Sequence, residues 1–375
     1  MALWIVLSSL FVLAATCYLL FVVSRPLEAV GVRLGKLLHV PEDVIAATFQ
    51  ALATSGPEIV MAVVAATAFV ATGWAELEFG EKACSGCLNM CFSAMHNLLG
   101  IGCVGIIFML FKGTVKADET IEVSPSVKAG LMFYILSSTC LCLFIIDGQI
   151  DRIEGWVLMA IGIAFVISQF FIPPWLRRRA GARAADDPSR PDPDDSQDQQ
   201  HDREDPEDAR PLPATFGAWL KDFFGHGLIY AFLIFALVIF VEECLAATFS
   251  LATVGLVSVG GIVLALTSYV SSFPEFMMTY RFAVANKKDA LLAMLFGSNV
   301  VDLAFAGFRP ILQGGSMKVY TTGMFPHLLP IYIWALPVLA AASLVALWTG
   351  KVKYGHARPL VAFYVIYIIS GLILL

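Results

Sequence analysis

The chain has 375 residues, of which 58% are hydrophobic and only 14% charged, with a formal net charge of −6. Soluble domains carry about 25% charged residues, so this composition excludes an ordinary soluble domain and points to a membrane protein. The basic residues are too dispersed for a nucleic-acid footprint.

A membrane helix needs about 20 apolar residues. On that measure an all-α membrane protein is expected, with ten spans at 3–23, 43–71, 84–111, 127–147, 153–175, 227–249, 255–282, 289–308, 325–348 and 359–375. The first stretch lacks the basic start of a secretory signal and reads as a span rather than a cleaved leader. Residues 309–324 read as a polar, glycine-bearing connection. Six of the eight cysteines lie in apolar stretches, where cysteine packs as a small hydrophobe. Cys84 and Cys87 form a CxxC without the second ligand pair of a structural metal site.

Between spans five and six lies a charged, proline-rich run, residues 176–214, with almost nothing to bury; it is expected to be a disordered linker. It divides the chain into halves of five spans, 1–175 and 215–375. With the N-terminus outside and the linker cytoplasmic, only Lys82, Arg152, Arg309 and Lys318 of the 24 basic residues fall outside. That asymmetry follows the positive-inside rule, and the plasma membrane is the expected location.

The halves share a pattern. Residues 38–58, LHVPEDVIAATFQALATSGPE, align without a gap on 255–275, GLVSVGGIVLALTSYVSSFPE, at an offset of 217. Downstream, SAMHN (93–97) matches SNVVD (298–302) at an offset of 205. The repeat cores are thus 43–111 and 255–310. Span two enters from inside and span seven from outside, so the copies are inverted. Secondary transporters use that design, with the substrate site at the midplane on broken helices.

Proline has no N–H to donate and clashes with the carbonyl one turn back, so Pro57 and Pro274 are expected to break spans two and seven. Freed carbonyls in lipid must find other partners, and a cation is one. Glu58 and Glu275 add charge beside the breaks; Thr54, Ser55, Ser271 and Ser272 add hydroxyls. Ser93 with Asn97, and Ser298 with Asp302, are each four apart and share a helix face. The set is all oxygen with three carboxylates, which suits calcium and not zinc or copper. His96 points about 100° from Asn97 around a helix and reads as a packing or pH-modulating residue. Asp147, Asp151, Glu242 and Glu243 near outer span ends read as interfacial residues or an ion-attracting mouth.

These residues resemble the cation/calcium exchanger superfamily, whose repeats carry G-T-S-x-P-E and G-S-N/A-x-x-N/D. ATSGPE, VSSFPE, FSAMHN and GSNVVD stand in those places, and DGQIDRIEGW (147–156) is similar to the family's acidic connection. The resemblance implies Glu58 and Glu275 as central calcium ligands. Ser55, Ser272, Ser93 and Ser298 would surround sodium sites, with Asn97 and Asp302 completing the centre. Thr54 and Ser271 would contribute backbone oxygens. The family's glycines are replaced by Ala53, Val270 and Phe92, while Gly297 is kept; a bulky Phe92 is expected to narrow the site or change its selectivity. The implied activity is sodium/calcium antiport, with calcium and sodium as cargo, no resident cofactor and no obligatory protein partner. Proton- or potassium-coupled exchange, and a non-transporting sensor or scaffold of the same fold, are the alternatives. No paired aspartates in a GxGD-like setting, Ser-His pair or HExxH motif marks an enzyme.

Overall fold

The computed structural model describes residues 2–38, 40–59, 62, 87–121, 123–185, 215–252, 264, 268–319, 328–349 and 353–374. All of 186–214, Cys84, and the expected span ends at 63–71, 255–263 and 325–327 lie outside them, as do the side chains of Glu242 and Glu243.

The structure is mostly helical. The first helix, α1 (Ala2–Leu37), has Pro26 inside it and runs well past the apolar stretch. Helix α2 covers residues 42–54: α-helix (Glu42–Ile45), a π-helical stretch (Ala46–Gln50), then α-helix again (Ala51–Thr54). After a turn at Ser55 the chain resumes as α3, residues 56–59. Then come α4 (Cys87–Lys112), α5 (Pro125–Phe144), α6 (Arg152–Ala185) and α7 (Phe216–Ala252). The second half continues with α8 (Ser268–Ser271), α9 (Phe273–Val284), α10 (Lys288–Phe305), α11 (Phe308–Gln313), α12 (Leu329–Trp348) and α13 (Ala357–Leu374).

Among the described residues, six helices are long and apolar enough to cross a membrane: Cys87–Lys112, Pro125–Asp147, Arg152–Phe171, Phe216–Ala236, Lys288–Gln313 and Leu329–Leu347. The protein is an integral, multi-pass membrane protein. Its outer helices turn apolar side chains outward: Leu228 of α7 is 76% exposed and Phe171 of α6 is 71% exposed. Those surfaces belong against lipid tails.

Three expectations need correction. α6 continues ten residues into the segment read as a linker, to Ala185, because its Arg- and Ala-rich end is built of good helix formers. The connection expected at 309–324 starts as α11 and then forms a strand, β2 (Met317–Lys318). That strand pairs antiparallel with β1 (Gln149–Ile150), so the acidic connection of one half docks on a connection of the other. Finally, α1 and α7 extend together beyond the bilayer-like apolar part. Leu27, Val30 and Leu34 recur on one face of α1 and pack with Tyr230 of α7. Arg33 reaches Asp222 at 2.6 Å, and the Trp219 indole N–H donates to the Leu37 carbonyl at 2.9 Å. Hydropathy marks where apolar surface ends, not where a helix ends.

Helix α10 is the centre of the molecule, packed against α2, α5, α6 and α9. With lipid no more polar than leucine, such packing rests on close van der Waals contact and small residues. At the end of α10, Gly155 of α6 and Gly307 stand backbone to backbone: a Cβ on Gly155 would lie 2.4 Å from the Gly307 carbonyl oxygen. At its start, Lys288 pairs with Glu119 at 3.1 Å. The backbone N–H of Lys116, with Lys288, holds the Glu119 carboxyl below its ordinary range.

Candidate cation site

Both Pro-Glu arms break at the serine before the proline, and in the same way. Ser55 has φ −75°, ψ 3°, and Ser272 has φ −80°, ψ 8°. The helix restarts at once, with Ile59 N–H bonded to the Ser55 carbonyl and Phe276 N–H to that of Ser272. Pro57 and Pro274 set these breaks, each lacking the N–H that would continue the helical ladder.

All ten residues expected at the site have no exposed surface. Two clusters form, and each joins the halves. Ser93 of α4 donates to Glu58 Oε1 at 3.2 Å and lies 2.6 Å from the Ser272 hydroxyl. Ser298 of α10 donates to Glu275 Oε1 at 2.8 Å and lies 2.7 Å from the Ser55 hydroxyl. Each downstream serine therefore bridges the glutamate of its own half to the upstream serine of the other. Because each gives its hydrogen to the glutamate, Ser272 and Ser55 are the donors to them. Asn97 Nδ2 also donates to the Ser298 hydroxyl at 3.3 Å. The Asp302 carboxylate faces Ser55 and Ser93 without a hydrogen bond of ordinary geometry.

Five buried oxygens in this cluster have no hydrogen-bond partner: Glu58 Oε2, Glu275 Oε2, Asn97 Oδ1 and both oxygens of Asp302. An unsatisfied buried polar atom costs about 1–3 kcal/mol, more for a charged group. Buried carboxylates without a cationic partner cost several kcal/mol each. The arrangement thus has both the charge and the free lone pairs to take up a cation. Among the described residues, no three His, Cys, Asp or Glu side chains stand close enough to hold an ion by themselves. An ion here would take hydroxyl, amide and backbone oxygens alongside the carboxylates.

Two of the ten bond back to their own helices, although Ser271 still faces Glu58. The Thr54 hydroxyl bonds back to the Ala51 carbonyl at 3.2 Å, and Ser271 to the Ser268 carbonyl at 3.1 Å. The replaced glycines also fall apart into separate cases. Ala53 packs with Leu27, Val30, Leu34 and Tyr230, and Phe92 is buried in the main apolar core. Val270 is buried as well. Gly297 alone serves close approach: a Cβ there would lie 2.3 Å from the Ala47 carbonyl oxygen and 2.9 Å from Ala51 Cβ.

Asn89 was missed from sequence. It is fully buried and donates to the Ser271 hydroxyl at 3.1 Å. Its signal is there in the spacing, since 89, 93 and 97 recur every four residues on one face of α4. His96 makes no bond to the ten site residues; its ring bonds Leu264, Ser268 and Tyr364. Asp147 and Asp151 act as local caps. Asp147 accepts from the Gln149 N–H, and Asp151 and Glu154 each accept the other's backbone N–H at 2.8 Å, closing the start of α6.

The fold has counterparts among known proteins. Residues 8–171 match the family described as sodium/calcium exchanger protein. No curated protein matches the chain as a relative. Among solved structures, the chain is similar to the sodium-calcium exchanger NCX_Mj soaked with 2.5 mM Na+ and 1 mM Sr2+, at TM-score 0.63 and 17% identity, over 96% of this chain and 98% of that one. The same exchanger with 2.5 mM Na+ and 10 mM Sr2+ gives TM-score 0.62 and 18% identity, over 97% and 99%. With neither Na+ nor Ca2+ it gives 0.59 and 18%, over 99% of both chains. At that identity the likeness is one of fold. The family match covers residues 8–171, less than half of the chain, and the fold is shared along its whole length.

Proposed function

We propose that the protein is a secondary active antiporter that exchanges sodium for calcium by alternating access around the Ser93–Ser298 clusters. The observation that carries this reading is the buried oxygen set. Glu58, Glu275 and Asp302 have no exposed surface and keep unpartnered oxygens, ringed by serine hydroxyls and the Asn97 carbonyl oxygen. Calcium takes 6–8 oxygen ligands in flexible geometry, and this set supplies them from both halves at once. Motion of one half against the other would then remake the site. NCX_Mj is a sodium-calcium exchanger whose structures were soaked with Na+ and with Sr2+ or Ca2+, which supports the same ion class here.

In this reading the ten spans form two inverted five-helix halves, 1–175 and 215–375, with helices two and seven broken at Ser55 and Ser272. The N-terminus is outside and the 176–214 connection cytoplasmic, in the plasma membrane. Glu58, Glu275, Asn97 and Asp302 hold calcium. Ser55, Ser272, Ser93 and Ser298 line sodium positions, and Thr54 and Ser271 contribute backbone oxygens.

Asp302 favours a second coupling. Both of its oxygens lack partners, and it faces Glu58, so a proton or potassium ion in place of sodium would also neutralise the cluster. Protein reconstituted into vesicles separates these readings. An outward sodium gradient should drive calcium uptake, and Glu275→Gln should abolish it. Uptake that ignores sodium but follows a pH or potassium gradient assigns the other coupling. Purified protein that binds neither calcium nor sodium would reject exchange and favour a sensor or scaffold.

A further inference from the structure

His96 is a second point where the halves meet, and the site does not use it directly. Its ring is fully buried. Nε2 lies 2.6 Å from the Leu264 carbonyl oxygen and 2.7 Å from the Ser268 hydroxyl; Nδ1 lies 2.7 Å from the Tyr364 hydroxyl of α13. A carbonyl oxygen only accepts, so Nε2 must carry the hydrogen. In the neutral ring Nδ1 then accepts from Tyr364. Tyr269 and Tyr364 meet the ring edge to face, with centroids 5.9 and 5.6 Å away. Every polar atom of the imidazole is used, and the ring has one orientation.

The repeat explains why this contact exists. Leu264 and Ser268 are the counterparts of Ala47 and Ala51 at the offset of 217; Phe92 and His96 are the counterparts of Gly297 and Val301 at the offset of 205. In one arm Gly297 lays the backbone of α10 directly on the Ala47 carbonyl and Ala51. In the other arm Phe92 stands where that glycine would be, and no helix bearing a phenylalanine there can make the same approach. His96, one turn on, reaches the equivalent carbonyl and the equivalent side chain with its ring.

We propose that His96 is a positioning residue of the cation site. It holds the Leu264 carbonyl and Ser268 in the role that direct glycine–backbone packing plays in the opposite arm, and so restores the geometry that Phe92 would otherwise disrupt. Ser268 carries the effect inward, because its carbonyl accepts from the Ser271 hydroxyl and from the Ser272 N–H. Ser272 in turn donates to Ser93. The residue acts on cation affinity through these serines and touches no ion.

The proposal rests on the cation-exchange reading, and the test separates the two. Glutamine places an amide N–H close to where Nε2 stands, whereas asparagine matches Nδ1 and cannot reach Leu264. In reconstituted vesicles, His96→Val and His96→Asn should raise the calcium concentration for half-maximal uptake about tenfold, with the maximal rate changed less than about twofold. His96→Gln should stay within about threefold of the wild type. Hydrogen exchange of peptides covering 264–272 in purified protein gives a readout free of transport. It should rise in the Val and Asn variants and not in the Gln variant. Equal behaviour of all three variants, in affinity or in exchange protection, overturns the proposal. If the wild type moves no cation, the exchange reading falls, and the hydrogen-exchange pattern alone decides whether His96 holds the segment.

Discussion

Around Ser93 and around Ser298 the same contacts recur with the halves exchanged: own glutamate, opposite serine. One turn outward the two arms have little in common. The Ser298 arm has Gly297 against bare backbone and an apolar Val301; the Ser93 arm has Phe92 in the core and His96 in a polar network. Beyond that, Asn97 faces Asp302 as its counterpart, so the pair carries one charge where full symmetry would carry two or none. The inner layer tolerates little change because the Ser93 and Ser298 hydroxyls each have both a donor and an acceptor duty. The supporting layer only has to hold a helix at a distance, and glycine contact or a histidine bridge does that equally.

The largest expected effect tests the inner layer. Glu58→Gln and Glu275→Gln each remove a charge and keep the volume. Each should lower calcium uptake by about 100-fold or more, which is about 2.8 kcal/mol at about 1.4 kcal/mol per tenfold. Flux in vesicles reads it. If the arms are equivalent at this level, the two variants will be equally impaired. A tenfold difference between them would break the symmetry and make one arm the main calcium holder.

The recurrence of the inner layer was legible because its residue types repeat at fixed offsets: TSGPE with SSFPE, and SAMHN with SNVVD. The exchange of partners was not. An internal alignment pairs Ser55 with Ser272 as equivalents, but contact runs from Ser55 to Ser298, and only the packing of α10 against α2 shows it. Thr54 adds a side-chain direction that the motif does not show. It sits in the motif, yet its hydroxyl satisfies its own helix at Ala51, a local option open to any buried threonine. The fold was legible through apolar length. Helix ends were not, because α1 and α7 continue as a pair through Arg33–Asp222 and Trp219–Leu37 where hydropathy has already fallen.

A smaller effect tests the supporting layer. Gly297→Ala places a methyl 2.3 Å from the Ala47 carbonyl oxygen, a backbone atom that cannot swing aside. Overpacking of this kind costs about 1–3 kcal/mol. The midpoint of thermal unfolding in detergent should fall, and calcium affinity with it, because α10 carries Ser298 and Asp302. Phe92 answers the opposite way: Phe92→Ala empties core volume, at about 3–5 kcal/mol, without opening any clash. A Gly297→Ala variant with wild-type unfolding and affinity would show that the close approach is not needed, and that the two arms are supported alike.

The finest distinction lies between the two serines. Ser298 accepts from Ser55 and from Asn97 while donating to Glu275; Ser93 accepts from Ser272 while donating to Glu58. Removing either hydroxyl strands a buried donor on the opposite serine and a carboxylate oxygen on its own side. At about 1–3 kcal/mol for such a loss, Ser93→Ala and Ser298→Ala should each weaken sodium-dependent calcium uptake about tenfold. Ser298→Ala leaves one more donor stranded, the Asn97 amide, and should be the worse of the two by about threefold. Paired measurement of sodium and calcium dependence in both variants checks this. The reverse order would mean that the Asn97 bond is dispensable and that the Ser93 cluster, beside Asp302, is the tighter half of the site.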